Sequence, residues 1–107
     1  MANVAQVLDA LGDPTRRAVF QRLRGGARSV TEISRGMKVT RPAVSQHLKV
    51  LKAARLVTRR AEGTRRLYTV DRRGVESLRH WLDSFWDTAL DAFQAAAELE
   101  AKKGARK

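Results

Sequence analysis

The 107-residue chain has no cysteine, only two histidines and only two prolines. Without thiols, disulfides, thiolate metal sites and cysteine nucleophiles are excluded, and no redox mark of compartment is left. No apolar run approaches the roughly 18 residues of a membrane-spanning helix. The opening Met1-Ala-Asn-Val-Ala-Gln6 lacks the basic start and apolar core of a secretory signal, so a cytoplasmic protein with no membrane partner is expected. The length leaves room for one compact domain with a modest core, and none for a second, catalytic domain. Two histidines, with carboxylates gathered mainly on an exposed terminal helix, make no acid–base constellation, so an enzyme is the least favoured class and no cofactor is expected.

Acids are scarce as well, and the net charge is +11. Such a chain is drawn to polyanions, of which nucleic acid is a commoner partner than a membrane surface. The charge is unevenly spread. Residues 14–73 hold seventeen Lys/Arg against three acids (Glu32, Glu62, Asp71), whereas residues 75–100 hold one base, Arg79, against six acids. A basic working body thus precedes an acidic terminal helix.

Local signals divide the chain into short elements. Val4, Val7, Leu8 and Leu11 recur at helical spacing and Gly12 stops that helix. Asp13-Pro14 reads as an N-cap followed by proline at the first helical position, opening a second helix through about residue 23, before Gly25-Gly26. Arg16, Arg17, Arg22 and Arg24 fall on it, divided between phosphate contact and solvated charge. Ser29-Val-Thr-Glu32 has the form of a capping box and predicts a third helix over 30–37. Thr40 caps a fourth helix to about residue 54, with Pro42 in the first turn, where a missing N–H is harmless. Residues 57–61 and 66–70 are β-prone and joined by Glu62-Gly63-Thr64-Arg65, a hairpin with glycine in the turn. A long helix follows over 72–101, and the basic residues 102–107 are expected to be a disordered tail. The fold class is mainly α with a small β-hairpin wing, in the order ααααββα: a winged helix-turn-helix forming a single domain over 1–101.

The fourth helix carries the chemistry. On a helical wheel Val44, Leu48 and Leu51 share one side with His47 at their edge, and Arg41, Pro42, Ser45, Gln46 and Lys49 lie opposite. The outward set offers short hydrogen-bonding groups ringed by positive charge, which suits base edges flanked by phosphates. Thr40, His47 and Lys52 are candidate backbone contacts, though a histidine at this rim also reads as a half-buried packing residue. Ser45 and His47 point about 200° apart and cannot act as a nucleophile pair. Arg59, Arg60, Arg65 and Arg66 surround the hairpin glycine, where they suit phosphates or a minor groove. On the last helix Leu78, Trp81, Leu82, Phe85, Trp86, Ala89 and Phe93 form an apolar stripe too long for one small domain to cover. Together with Val4, Val7, Leu8 and Leu11 they are the candidate dimer interface, with a second copy of the chain as partner. Trp81, Phe85 and Trp86 also suit the wall of a small-ligand pocket, a reading that ordinary dimer packing outweighs.

Leu11-Gly-Asp-Pro-Thr-Arg-Arg17, Val30-Thr-Glu-Ile33 and Arg41-Pro-Ala-Val-Ser-Gln-His-Leu-Lys-Val-Leu-Lys52 closely resemble the ArsR/SmtB-like winged-helix transcriptional repressors, over about residues 4–86. The resemblance implies a homodimer joined by its first and last helices, binding double-stranded DNA at an inverted-repeat operator and often repressing its own operon. Two cysteines flank a valine in the family's arsenic and cadmium sensors, where this chain has Ser29-Val30-Thr31. Its zinc and nickel sensors carry aspartate and histidine ligands on the terminal helix, where this chain has His80 as the one histidine. No metal site is therefore expected, which places the chain in the non-metal-sensing branch, with no effector identified by its residues. Arg55 stands where the family usually has glycine, implying a left-handed strain of roughly 1 kcal/mol or another helix ending.

Two rival readings stay open. A non-specific architectural DNA-binding protein needs only the basic body, and a co-regulator needs only the aromatic terminal helix.

Overall fold

Side-chain caps set the element boundaries of the computed structural model, which describes residues 2–105. Asn3 Oδ1 accepts the Gln6 amide at 3.2 Å and opens α1 (Val4–Leu11). Asp13 Oδ1 accepts the Arg16 amide at 2.9 Å and, with Pro14 at the first position, opens α2 (Pro14–Gln21). The capping box forms both bonds, Glu32 N to Ser29 Oγ and Ser29 N to Glu32 Oε1, at the start of α3 (Val30–Ser34). Thr40 Oγ1 accepts the Ala43 amide at 3.2 Å and opens α4 (Arg41–Ala53). The strands β1 (Val57–Glu62) and β2 (Arg65–Val70) pair antiparallel, and α5 (Arg72–Ala105) closes the order.

Several ends differ from the sequence expectation. The second helix stops two residues early, because the Leu23 and Arg24 amides turn back to Phe20 and Gln21 at 3.0 and 3.2 Å, tightening the chain into i+3 bonds. Leu23 is still fully buried, but Arg22 and Arg24 lie past the helix and not on it. The third helix stops at Ser34 and not at Met37: Arg35 is extended and Gly36 takes φ +79°, a left-handed turn open to glycine. Glu62 and Arg65 pair across the sheet, so the hairpin loop is only Gly63-Thr64, with Gly63 at φ +62°. The tail expected to be disordered is helical through Ala105, and Lys102 and Lys103 there complement the negative end of the helix dipole. Arg106 and Lys107 lie outside the described residues.

The core joins Val7 and Ala10 of α1, Val19 of α2, Ile33 of α3, Val44, Leu48 and Leu51 of α4, and Leu56, Val57 and Tyr68 around the hairpin. Each large aliphatic side chain removed from water contributes about 1.5–3 kcal/mol. An unforeseen pairing adds a third chain segment to the hairpin: Arg28 and Tyr68 exchange both backbone bonds, at 2.9 and 2.8 Å. The loop between α2 and α3 is thereby stitched to the wing.

The end of α4 is made by Arg55 at φ +62°. The Arg55 amide reaches Lys52 O and the Leu56 amide reaches Leu51 O, both at 3.0 Å, the Schellman arrangement, and Leu51 and Leu56 are both fully buried beneath it. The non-glycine residue therefore takes the strained conformation, with no alternative helix ending.

Only the root of α5 packs on the body. Gly74 N donates to Arg55 O at 2.8 Å, Ser77 Oγ donates to Ala2 O at 2.9 Å, and Leu78 is half-buried against the core. From Arg79 through Gly104 every residue but Ala89 is exposed. The helix has 34 residues, about 51 Å at 1.5 Å each, and the molecule measures 75 × 30 × 22 Å. No described helix is long and apolar enough to cross a membrane.

Candidate nucleic-acid interface

Helix α4 is clamped along one side and bare along the other. Val44, Leu48 and Leu51 have no solvent exposure, whereas Arg41, Pro42, Ser45, Gln46, Lys49 and Lys52 are all exposed. Among the described residues no side-chain hydrogen bond ties Arg41, Ser45, Gln46 or Lys49, so their donors and acceptors face solvent. Thr40 is exposed too, with its hydroxyl oxygen engaged in capping. His47 is half-buried at the rim. The Arg16 amide, the main cause, and then the Thr15 amide hold the Asp13 carboxyl below its usual range against partial desolvation.

Two residues of the outward arc were missed by the sequence reading. Val50, 40% exposed, and Ala53 lie on the same side as Gln46 and Lys49. The signal was present: an apolar residue half a turn from the buried stripe. An exposed methyl at this place would suit contact with a thymine methyl if α4 lay in a major groove.

The wing arginines divide by the pleat of the hairpin. Register places Arg59 opposite Tyr68 and Arg66 opposite Ala61, on one face; Arg60 lies opposite Leu67 and Arg65 opposite Glu62, on the other. All four are exposed. Arg60 pairs with Glu62 at 3.5 Å and Arg65 with Glu32 at 2.6 Å, whereas Arg59 and Arg66 have no carboxylate partner among the described residues. Glu32 lies below the usual carboxylate range, held there first by the Ser29 amide, then by the Ser29 hydroxyl, and also by the charges of Arg65 and Arg28, against partial desolvation. Leu67 and Tyr68 are buried and seat the hairpin on the body.

The arginines of the second-helix region have structural partners. Arg16 and Arg17 donate to Ala10 O and Leu11 O at 3.2 and 2.7 Å, satisfying the last carbonyls of α1, and Arg22 donates to Arg35 O at 2.9 Å. Asp71, 7% exposed, accepts the Arg73 amide at the start of α5 and takes the Arg73 guanidinium through both oxygens, at 2.7 to 3.1 Å.

The interface candidates on α1 and α5 separate in the same way. Val7 belongs to the core with no exposure, because the α1 stripe faces its own chain, and it cannot meet a partner; Val4, Leu11 and Leu78 are half-buried. Leu8, Trp81, Leu82, Phe85, Trp86 and Phe93 are 39–73% exposed, joined by Leu90 and Leu99, and Ala89 is half-buried among them. Trp81 and Phe85 stack with ring centres 5.9 Å apart. Of the aromatics considered for a ligand pocket, Trp81 lines a groove of about 540 Å³ shared with Ala2, Val4, Arg73, Glu76, Ser77 and His80. Among the described residues no three His, Cys, Asp or Glu side chains gather at a metal-binding spacing.

The comparisons agree with this architecture. A family described as a helix-turn-helix domain matches residues 11–60. The HTH-type transcriptional regulator Rv2034 of Mycobacterium tuberculosis is 52% identical over 91 residues, 85% of each chain. An ArsR-like transcriptional regulator from Rhodococcus sp. RHA1 superposes with a TM-score of 0.72 at 27% identity, over 88% of this chain and 92% of that one. The homodimeric winged helix-turn-helix DNA-binding domain of Mb0332 from Mycobacterium bovis does so with a TM-score of 0.61 at 28% identity, over 84% and 81%. With the two-sided α4, the wing and this likeness together, the chain belongs to the ArsR-like family of winged helix-turn-helix transcriptional regulators.

Proposed function

We propose that the chain is a homodimeric, sequence-specific repressor in the cytoplasm that reads an inverted-repeat operator in double-stranded DNA, its own promoter included. The observation that carries this reading is the two-sided α4, with three side chains fully buried beneath it and an outward set of Arg41, Pro42, Ser45, Gln46 and Lys49 that has no side-chain hydrogen bond among the described residues. A recognition helix needs both properties: rigid seating, and hydrogen-bonding groups not already spent within the protein. The exposed aromatic face of α5 supports a second copy as partner, as does the homodimeric relative. Two copies related by a twofold axis put their recognition helices in successive major grooves, with half-site centres roughly 34 Å apart. Ser29-Val30-Thr31 and the lone His80 supply no ligand set for a metal, so regulation proceeds without a sensing metal.

Selection of bound fragments from a random DNA pool, with gel-shift competition, tests the reading. An inverted repeat held about a thousandfold more tightly than random competitor is expected. Equal retention of all sequences would instead make the chain an architectural DNA-binding protein. Light scattering tests the assembly, and a clean monomer would leave the α5 face to a different protein.

A further inference from the structure

Each acid of the basic body is tied to an arginine: Glu32 to Arg65, Glu62 to Arg60 and Asp71 to Arg73. Only the first pair joins distant parts of the chain, 33 residues apart. Glu32 is the third residue of α3 and Arg65 opens β2, so the pair is a strut between the helix-turn-helix and the wing. One oxygen, Oε1, takes both the Ser29 amide at 3.1 Å and the Arg65 guanidinium at 2.6 Å. The capping box thus holds the carboxylate still, and the Glu32 side chain is only 33% exposed. An acceptor fixed in this way loses little rotamer freedom on pairing, unlike the usual surface carboxylate.

We infer that Glu32 is a specificity-determining residue: it ties Arg65 to α3, withholds it from DNA phosphates, and leaves the backbone contacts of the wing to Arg59 and Arg66. A guanidinium engaged by a carboxylate brings no net charge to the phosphates and displaces no counterion. The strut therefore trims sequence-independent affinity, the background against which the bases read by α4 must stand out. This inference rests on the DNA-binding reading above.

Glu32→Gln separates the two jobs of the residue, since glutamine in the same place still closes a capping box but carries no charge. Binding of a random-sequence duplex is measured by fluorescence anisotropy across a salt series for the wild type, Glu32→Gln, Arg65→Ala and the double variant. Glu32→Gln is expected to bind more tightly and to steepen the log–log salt slope by about 0.9, one phosphate contact. Arg65→Ala is expected to keep the wild-type slope, and the double variant to return to it. A wild-type slope in Glu32→Gln would overturn the inference. So would steepening that survives in the double variant, because removal of any nearby acid would then suffice. An Arg65→Ala slope shallower by about 0.9 would also overturn it, placing Arg65 on a phosphate already; that variant decides alone if Glu32→Gln does not fold. A wild-type chain that binds no DNA would overturn the parent reading and this one with it.

Discussion

Gly74 lies directly against the carbonyl of Arg55: its amide donates to that oxygen at 2.8 Å, and a Cβ at Gly74 would stand 2.5 Å from it. The obstacle is backbone, which cannot swing aside as a side-chain tip does. Gly74→Ala is therefore expected to destabilise the protein by about 1–3 kcal/mol, the usual range for overpacking. Thermal melting followed by circular dichroism checks this, with a fall in Tm of roughly 4–8 °C per kcal/mol for a domain of this size. An unchanged Tm would mean that α5 is free to shift from its root.

Gln46 and Arg66 should fail in different ways. Gln46→Ala is expected to relax discrimination at one base position by about 1–3 kcal/mol, while Arg66→Ala weakens binding to all sequences alike and lowers the salt slope by about 1. Affinities for an operator and its single-base variants, measured at several salt concentrations, separate the two. Uniform loss for Gln46→Ala would remove it from base reading.

Asp71 couples stability to pH. The Arg73 guanidinium, its main partner, and then the Arg73 amide hold its carboxyl below the ordinary range, against desolvation. A depressed folded value means that the stabilisation is fully present above the unfolded value of about 4, and is lost as pH falls through the lower folded one. Asp71→Asn keeps an oxygen that can accept the Arg73 amide but has no charge to lose. Its Tm is expected to start below that of the wild type at neutral pH and to fall less between about pH 5 and pH 2. Parallel acid limbs for the two proteins would assign the acid sensitivity elsewhere.

Trp86 and Phe93, 61% and 73% exposed, test the α5 face. A charge placed in the centre of an apolar interface, as in Trp86→Glu, is expected to weaken dimerisation by at least tenfold, about 1.4 kcal/mol. Light scattering over a dilution series measures it. A dimer as strong as the wild type would move the interface away from this face.

What the sequence made legible was local. Ser29 with Glu32, and Asp13 with Pro14, announce their helices within four residues, and the spacing of Val44, Leu48 and Leu51 fixes which side of α4 is buried. What stayed hidden depends on chain segments meeting. Arg16 and Arg17 turn to the carbonyls of α1 only because α1 and α2 pack together, and Arg65 finds Glu32 only when the wing folds back to α3. The early stop of α3 reflects the left-handed turn at Gly36 that redirects the chain into α4, which helix propensity over 30–37 does not register. Val7 belongs to a continuous apolar stripe on α1, and periodicity cannot say which part of such a stripe faces the same chain and which a partner.

The contact between Gly74 and Arg55 has a geometric consequence for operator choice. It joins the end of α4, the proposed base-reading helix, to the root of the proposed dimer arm, so it helps to set the relative pose of the two, together with the Ser77–Ala2 bond and the packing of Leu78. A tilt of about 5° there, carried along roughly 30 Å of helix at 1.5 Å per residue, moves the far point by about 2.6 Å, approaching the 3.4 Å rise of one base step. In the proposed dimer, half-site spacing would thus depend on the angle at this joint, and a molecule that altered that angle would detune operator binding without touching a residue proposed to meet DNA.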